Sequence, residues 1–163
     1  MRFFLMCSPR WLFFIPGWVL MLLGIIGYVL ALPGLTIGPA TFDAHTLLFA
    51  SLAIMSGYES VVFGIFTKAF AINEGLLPPD WKMDRFASFI NLEKGLILGV
   101  LGLLAGTALL LWAVLEWRNT GFGRLDYSHT MRFVIPGATL VSLGLHTILA
   151  SFLVTILGMG RRD

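Results

Sequence analysis

Glu59 and His146 are the residues of this sequence whose types and setting suggest chemistry. Each lies near the middle of a long apolar segment, where a carboxylate and an imidazole can share a proton or bind a polar headgroup. A charged side chain at the centre of a bilayer costs at least about 2.5 kcal/mol, so neither should face lipid. We therefore expect both side chains to point into the molecule and to form a buried polar pair.

Three interpretations of this pair are open. It is a functional proton or headgroup site, or it is a structural contact that joins two halves of the molecule, or Glu59 is protonated and neutral. No metal site is expected, because His45, His129 and His146 are widely spaced and form no ligand cluster. Cys7 is the single cysteine, so neither an intrachain disulfide nor a thiol metal site is expected.

Four apolar windows are long enough to cross the hydrocarbon core of a membrane, which takes about 20 helical residues. With 58% hydrophobic and 12% charged residues, the chain has more apolar surface than 163 residues can bury in water. No window alternates like a barrel strand, so the sequence predicts an all-α fold with four transmembrane helices. The windows are Trp11 to Leu32, Thr46 to Phe66, Leu96 to Trp117 and Phe133 to Gly158.

The sequence also repeats itself at a distance of roughly 80 residues, and such repeats indicate architecture. Gly57-Tyr58-Glu59-Ser60 and Gly144-Leu145-His146-Thr147 occupy matching positions. Gly17 and Gly24 match Gly95 and Gly102 at the same spacing. We expect a single domain of two parallel helical hairpins related by a pseudo-twofold axis along the membrane normal, which would direct the polar pair toward the bundle axis. The predicted parts are repeat one at 11–72, an interfacial segment at 74–94 and repeat two at 95–158.

Small residues recur along the spans, many of them at a heptad spacing. In lipid, small residues allow helix backbones to approach closely and to gain dispersion contacts. We expect these positions to form packing seams within the bundle rather than between chains. The positions singled out for helix packing are Gly57, Gly64, Gly102, Gly137, Gly144 and Ser151.

The segment between the second and third windows is the longest aqueous one. Pro78-Pro79-Asp80 can end one element and cap the next. After it, Met83, Phe86 and Ile90 fall on one helical face, and Trp81 suits the level of the lipid headgroups. This pattern predicts a short amphipathic helix on the cytoplasmic surface, and the alternative is an ordinary polar connector.

Basic residues predict the orientation. Those at the chain ends and in the second connection outnumber those in the first and third connections by eight to three. The positive-inside rule then places both termini in the cytoplasm. The net charge of +2 gives no reason to expect a nucleic-acid partner, because basic residues at helix ends can contact anionic membrane lipids. The cytoplasmic set is Arg2, Arg10, Lys68, Lys82, Arg85, Lys94, Arg161 and Arg162, and the opposite set is Arg118, Arg124 and Arg132.

Catalytic residues are not expected in this sequence. It has no glycine loop before a lysine that would hold phosphate, and no Asp-x-Asp pair that would hold a divalent metal with a nucleotide diphosphate. It has no Ser or Cys nucleophile with a partnering base in an aqueous setting. For the same reasons no cofactor is expected.

Short motifs near the ends of the four windows carry a family resemblance. They are Ser8-Pro9-Arg10-Trp11, Ile15-Pro16-Gly17, Phe42-Asp43-Ala44-His45-Thr46, Glu74-Gly75-Leu76-Leu77-Pro78-Pro79, Thr120-Gly121-Phe122-Gly123 and Val134-Ile135-Pro136-Gly137-Ala138-Thr139. In this order they resemble the C-terminal membrane region of prokaryotic family 2 glycosyltransferases, which are similar to dolichol- or polyprenyl-phosphate hexose synthases. The resemblance covers about Ser8 to Gly158.

The resemblance implies a membrane anchor for a cytoplasmic domain that moves a sugar from a nucleotide onto a lipid phosphate. The sequence holds no such domain, and Glu59 and His146 stand where we expect glutamine in relatives. We expect a non-catalytic subunit of a prokaryotic cytoplasmic membrane, in contact with lipids and with another membrane protein or a separately encoded catalytic subunit. Two alternatives are the C-terminal fragment of a split transferase and a small transporter or proton conduit that uses Glu59 and His146.

Overall fold

Four long helices make up most of the part of the chain that the computed structural model describes, which is residues 10–34, 36–37, 40–76, 92–123 and 126–159. All four are long and apolar enough to cross a membrane, which confirms the predicted four-helix transmembrane fold. The helices are α1 (Ile15–Ala31), α2 (Ala44–Asn73), α3 (Leu92–Asn119) and α4 (Tyr127–Met159), and a π-helical turn, Arg10–Phe14, precedes α1. The predicted interfacial helix, with Trp81, Met83, Phe86 and Ile90, lies outside the described residues.

Helices α2 and α3 end in the same way, at a glycine with a left-handed backbone conformation. Gly75 has a φ of 69° and Gly121 a φ of 63°. The next N–H in each case reaches back to a carbonyl of the last turn, Leu76 to Ala71 at 2.9 Å and Phe122 to Trp117 at 3.0 Å. This hydrogen-bonded ending satisfies carbonyl groups that the helix leaves without partners. It explains why both helices run past the apolar windows, since hydropathy marks the lipid-spanning part and the glycine marks the end.

The connection between α1 and α2 contains a very small antiparallel pair of strands that the sequence did not predict. β1 (Thr36–Ile37) pairs with β2 (Ala40–Thr41), with Thr36 opposite Thr41 and Ile37 opposite Ala40. Asp43 follows this pair and precedes α2, where its carbonyl oxygen accepts the N–H of Thr46 at 2.8 Å. The strand pair therefore directs the chain from the end of α1 into the start of α2.

The bundle consists of two hairpins. Helix α1 packs on α2 and α3 packs on α4, while the hairpins contact each other mainly through α2 and α4. Helices α2 and α4 run in the same direction, because Asp43 contacts Ser128 at their starts and Asn73 contacts Leu157 near their ends. A small apolar core lies at the starting end of this pair, and most other large apolar side chains face outward, as expected of helices in lipid. That core contains Ala31, Ala44, Leu47 and Ile135.

Close backbone packing occurs inside each hairpin. In the first hairpin, a Cβ atom built on Gly57 would lie 2.6 Å from the carbonyl oxygen of Gly17. In the second, a Cβ atom built on Gly144 would lie 2.6 Å from the carbonyl oxygen of Gly99. The other positions singled out for packing also lie inside a hairpin: Gly64 against Phe13 and Phe14, Gly102 against Gly144, Gly137 against Gly106, and Ser151 against Gly95.

This packing corrects one part of the repeat. Gly17 corresponds to Gly99 and Gly24 to Gly106, because each pair meets equivalent residues on the partner helix. The sequence comparison matched them instead with Gly95 and Gly102, one helical turn earlier. Small residues recur every three or four positions in α3, so two registers share the same spacing of seven. The contacts with α4 select the register.

Candidate functional site: a polar pair in a membrane-facing groove

Glu59 and His146 occupy equivalent places in the two hairpins. Each follows by two residues the glycine that packs against its own hairpin partner, Gly57 in α2 and Gly144 in α4. Two residues correspond to about 200° around a helix, so both side chains point away from α1 and α3. Because α2 and α4 pack side by side, the two side chains meet at their shared seam.

Two polar contacts join the hairpins at this level. The Nδ1 atom of His146 lies 3.2 Å from the Oε1 atom of Glu59. Beside them, the hydroxyl groups of Tyr58 and Thr147 lie 2.8 Å apart. Thr147 donates its proton to the Leu143 carbonyl oxygen at 2.6 Å, so Tyr58 is the donor to Thr147. Adjacent residues on each helix thus form parallel links between α2 and α4.

The position of the pair differs from the buried site expected from the repeat. The Glu59 side chain is 59% exposed and that of His146 is 37% exposed. Both therefore lie on the open side of the α2–α4 seam and are not enclosed at a bundle axis. The cause is the arrangement of the hairpins, which meet along two helices and leave one side of that seam uncovered.

An open groove of about 280 Å³ extends from the pair along the seam. Its polar end contains Tyr58, Glu59 and His146, and the rest is apolar. The groove runs toward the ends of α2 and α4, since its lining residues come later in both helices. It has the form of a site for an apolar group that carries a polar atom at one end. The apolar lining is Val62, Phe63, Phe66, Leu149, Ala150 and Leu153.

A second polar cluster links the hairpins at the starts of α2 and α4. The Ser128 hydroxyl donates to Asp43 Oδ2 at 2.8 Å, and the Arg132 guanidinium lies 4.0 Å from Asp43 Oδ1. The pKa of Asp43 is held below its ordinary value of 3.8 by the hydrogen bond from Ser128, by the N–H of Ala44 and by the positive charge of Arg132, against some desolvation. Sequence analysis noted these charges separately but not their contact. An Asp before α2 and an Arg early in α4 were the available signal.

A third cross-hairpin contact was missed by sequence analysis altogether. The hydroxyl of Tyr28 in α1 lies 2.7 Å from Ser51 Oγ in α2 and donates to Thr139 Oγ1 in α4 at 3.1 Å. Ser51 and Thr139 are buried and also donate to carbonyl oxygens of their own helices. Polar residues inside apolar spans need hydrogen-bond partners, so these residue types could have indicated the contact.

Another histidine contact lies near the start of α4. His129 Nδ1 is 3.9 Å from Glu116 Oε1, and the ring packs near Trp112 and Phe133. Within the described part of the chain, no group of three or more His, Cys, Asp or Glu side chains is placed to hold a metal ion. The polar side-chain contacts described above between helices are thus pairs and small clusters without a metal-binding arrangement.

Comparisons with known proteins identify the family. A family model described as the glycosyltransferase family 2 C-terminal transmembrane region matches residues 65–158, more than half of the chain. The low-salt glycan biosynthesis hexosyltransferase Agl6 of Haloferax volcanii is 31% identical over 160 residues, which are 96% of this chain and 37% of that protein. The chain thus spans little more than a third of the length of this curated relative. No solved structure matches the chain. These findings confirm the resemblance seen in the motifs, and the chain belongs to the family of glycosyltransferase family 2 C-terminal transmembrane regions.

Proposed function

We propose that this glycosyltransferase-associated membrane domain is a non-catalytic anchor that holds a sugar-transferring catalytic domain at the membrane surface. The observation that carries the proposal is the family match over more than half of a chain built from four apolar helices. Transfer from a nucleotide sugar needs an aqueous site that stabilises the leaving diphosphate. The described helices contribute apolar surface and a few paired polar contacts, which suit anchoring.

The direction of the helices supports a single docking face. Helices α2 and α4 end on the same side of the bundle, and α1 begins there, because Gly64 late in α2 lies against Phe13 and Phe14 before α1. Among the described residues, Arg10, Leu76, Leu92 and Met159 all lie toward this side. A catalytic domain, whether covalently attached or separate, would meet these helix ends at one membrane surface.

The orientation that we propose puts this face in the cytoplasm of a prokaryotic cell. In the sequence, the chain ends and the second connection carry eight basic residues against three in the other two connections, a distribution that the positive-inside rule assigns to the cytoplasm. The relative from Haloferax volcanii supports a prokaryotic membrane. Anionic lipid headgroups are the expected contacts of these basic residues.

A second candidate is that the same module works as the C-terminal part of a longer or split transferase. The relative supports this candidate, because the aligned segment makes up 37% of a hexosyltransferase. Both candidates assign the helices the same anchoring role. They differ in whether the catalytic domain is encoded in the same chain. A transporter or proton conduit receives less support, since polar residues line one end of the groove alone.

Gentle extraction from native membranes tests the proposal. The tagged chain should co-purify with a protein that has a family 2 catalytic domain, and that complex should consume a nucleotide sugar in the presence of polyprenyl phosphate and a divalent metal. The chain purified alone should show no turnover. A tagged, unrelated four-helix membrane protein, extracted in the same way, controls for carry-over. Turnover by the lone chain, or recovery of a strictly monomeric species without a transferase, would overturn the anchor role.

A further inference from the structure

The Glu59–His146 pair is incompletely satisfied in the bundle. The described helices cover less than half of the Glu59 side chain, although it lies near the middle of a membrane span. Lipid tails fill apolar space but offer no hydrogen bonds, so polar atoms that face them carry a desolvation cost. A partner with a polar group at this depth would offset the desolvation cost on the exposed side of the pair.

The atoms that remain available define that polar group. Glu59 Oε1 and His146 Nδ1 contact each other, which leaves Glu59 Oε2 and His146 Nε2 for a further partner. When the pair as a whole carries no net charge, its shared proton lies between Oε1 and Nδ1, so Nε2 is a donor and Oε2 an acceptor, side by side and at one depth. An occupant that matches both must itself present a donor beside an acceptor at the same depth.

From this geometry we infer that a second copy of the chain covers the groove, related to the first by a twofold axis parallel to the membrane normal. Such an axis preserves depth, so Glu59 of one copy lies at the level of His146 of the other and can meet it where the axis passes beside the pair. The two Glu59 and two His146 side chains then form a closed ring of hydrogen bonds. Any other helix would have to supply its own donor and acceptor at the matching level, whereas a second copy has them by construction.

The surroundings of the pair suit such a contact. Phe63 is 55% exposed and Leu149 is 58% exposed, and each lies about one helical turn from a residue of the polar pair. The groove of about 280 Å³ has room for an aromatic ring such as that of Phe63 from the other copy. A polar contact beside an apolar groove resembles the interfaces of transmembrane helices, where polar contacts add to van der Waals packing. This association goes beyond the anchoring role and does not depend on it.

Cross-linking in native membranes tests the inference. In a Cys7→Ser background, Leu149→Cys places a thiol at the groove, and Leu98→Cys is the matched control. Leu98 is 66% exposed on α3, at a similar depth because its neighbour Gly99 lies against Ile148 of α4. A bis-maleimide long enough to span a helix diameter of about 10 Å removes the need for ideal thiol geometry. We expect several-fold more cross-linked dimer from Leu149→Cys than from Leu98→Cys. Equal yields, or no dimer from Leu149→Cys, would overturn the inference.

Changes to the pair itself provide a second measurement. Replacing both residues by leucine removes the polar requirement, so dimer yield should fall several-fold and the mass in mild detergent should approach that of one 18.0 kDa chain. Replacing both by glutamine keeps donors and acceptors and should preserve the dimer. An unchanged dimer in the leucine variant, or a groove cross-linked to lipid or to another protein instead, would refute a second copy as the occupant. None of these readouts involves a transferase, so failure here is distinct from failure of the anchor role.

Discussion

Gly17 of α1 and Gly57 of α2 pack backbone against backbone, close enough that a Cβ atom on Gly57 would lie 2.6 Å from the Gly17 carbonyl oxygen. Gly99 and Gly144 repeat this contact in the second hairpin at the same distance. Such an approach leaves no space for a methyl group on either side. The two hairpins therefore share one packing scheme, even where their other residues differ.

This packing predicts unequal effects of two similar glycine substitutions in α3. A Cβ atom on Gly99 would lie 2.6 Å from the Ile148 side chain and 2.8 Å from the Gly144 carbonyl oxygen, so Gly99→Ala should destabilise the protein by about 1–3 kcal/mol through overpacking. Gly102→Ala is the matched control, because its Cβ atom would make an ordinary contact of 3.5 Å with Gly144. Unfolding in detergent measures both. Equal losses of stability would contradict the packing described.

The contact between Glu59 and His146 predicts an energetic coupling. Glu59→Gln and His146→Gln should each lower stability, and the double change should cost less than the sum of the two. Polar contacts between membrane helices couple by about 0.6 kcal/mol on average and up to about 1.7, which sets the expected size. The measurement is a double-mutant cycle of unfolding in detergent. Additivity within about 0.3 kcal/mol would show that the two side chains do not interact.

The hydrogen bonds of the Tyr28 hydroxyl, which connect α1 with α2 and α4, give a third prediction. Tyr28→Phe removes its contacts with Ser51 and Thr139 but leaves both of those hydroxyl groups bonded to their own helices. No buried donor loses its acceptor, so the loss of folding stability should be modest, about 0.5–1.5 kcal/mol. Tyr127→Phe, at an exposed tyrosine, is the control. Equal thermal stabilities of the Tyr28→Phe variant and the unmodified protein would contradict a role for this contact.

The environment of Asp43 predicts a dependence on pH. The hydrogen bond from Ser128, the Ala44 N–H and the charge of Arg132 lower the folded-state pKa of Asp43 below 3.8. The ionised Asp43 carboxylate therefore contributes fully to the free energy of unfolding above pH 3.8, and this contribution is lost as the pH falls through the lowered pKa. The stability difference between the protein and its Asp43→Asn variant should therefore shrink from about pH 5 to about pH 2. Asp126→Asn, at the start of α4, controls for the removal of a charge. A stability difference that stays constant over this pH range would refute the lowered pKa of Asp43.

The proposed orientation predicts the access of thiol reagents. In a Cys7→Ser background, Thr120→Cys lies after α3 and Glu74→Cys after α2, both at exposed positions at opposite ends of the bundle. An impermeant maleimide should label Thr120→Cys in intact cells and Glu74→Cys after permeabilisation alone. The opposite pattern would reverse the orientation.

The sequence predicted the number and class of the helices because apolar length is a local property. Helix ends were less predictable, since α2 continues from Phe66 to Asn73 through residues that are not all apolar. Gly75, which ends it, appears in the sequence, but its backbone conformation depends on the chain around it. The register of the glycines in α3 depended on which face α4 covers, and this information is not local.

In the candidate site, too, local features were predictable from the sequence and packing between helices was not. The repeat matched Glu59 with His146, and the structure places His146 Nδ1 3.2 Å from Glu59 Oε1. Their exposure was not predictable, because the repeat gives the orientation of each side chain relative to its own hairpin and not how widely the hairpins meet. Tyr28 was missed since its partners, Ser51 and Thr139, come from different helices far apart in the sequence.

The two kinds of helix contact have different mechanical properties. Glycine backbones that interlock inside a hairpin resist sliding, because any shift drives a carbonyl oxygen into a neighbouring side chain. Side-chain hydrogen bonds between α2 and α4 break and re-form at low cost, since each adds little net free energy. Each hairpin is thus the stiffer unit, and the seam of Glu59 and His146 is where one unit would slide or tilt against the other.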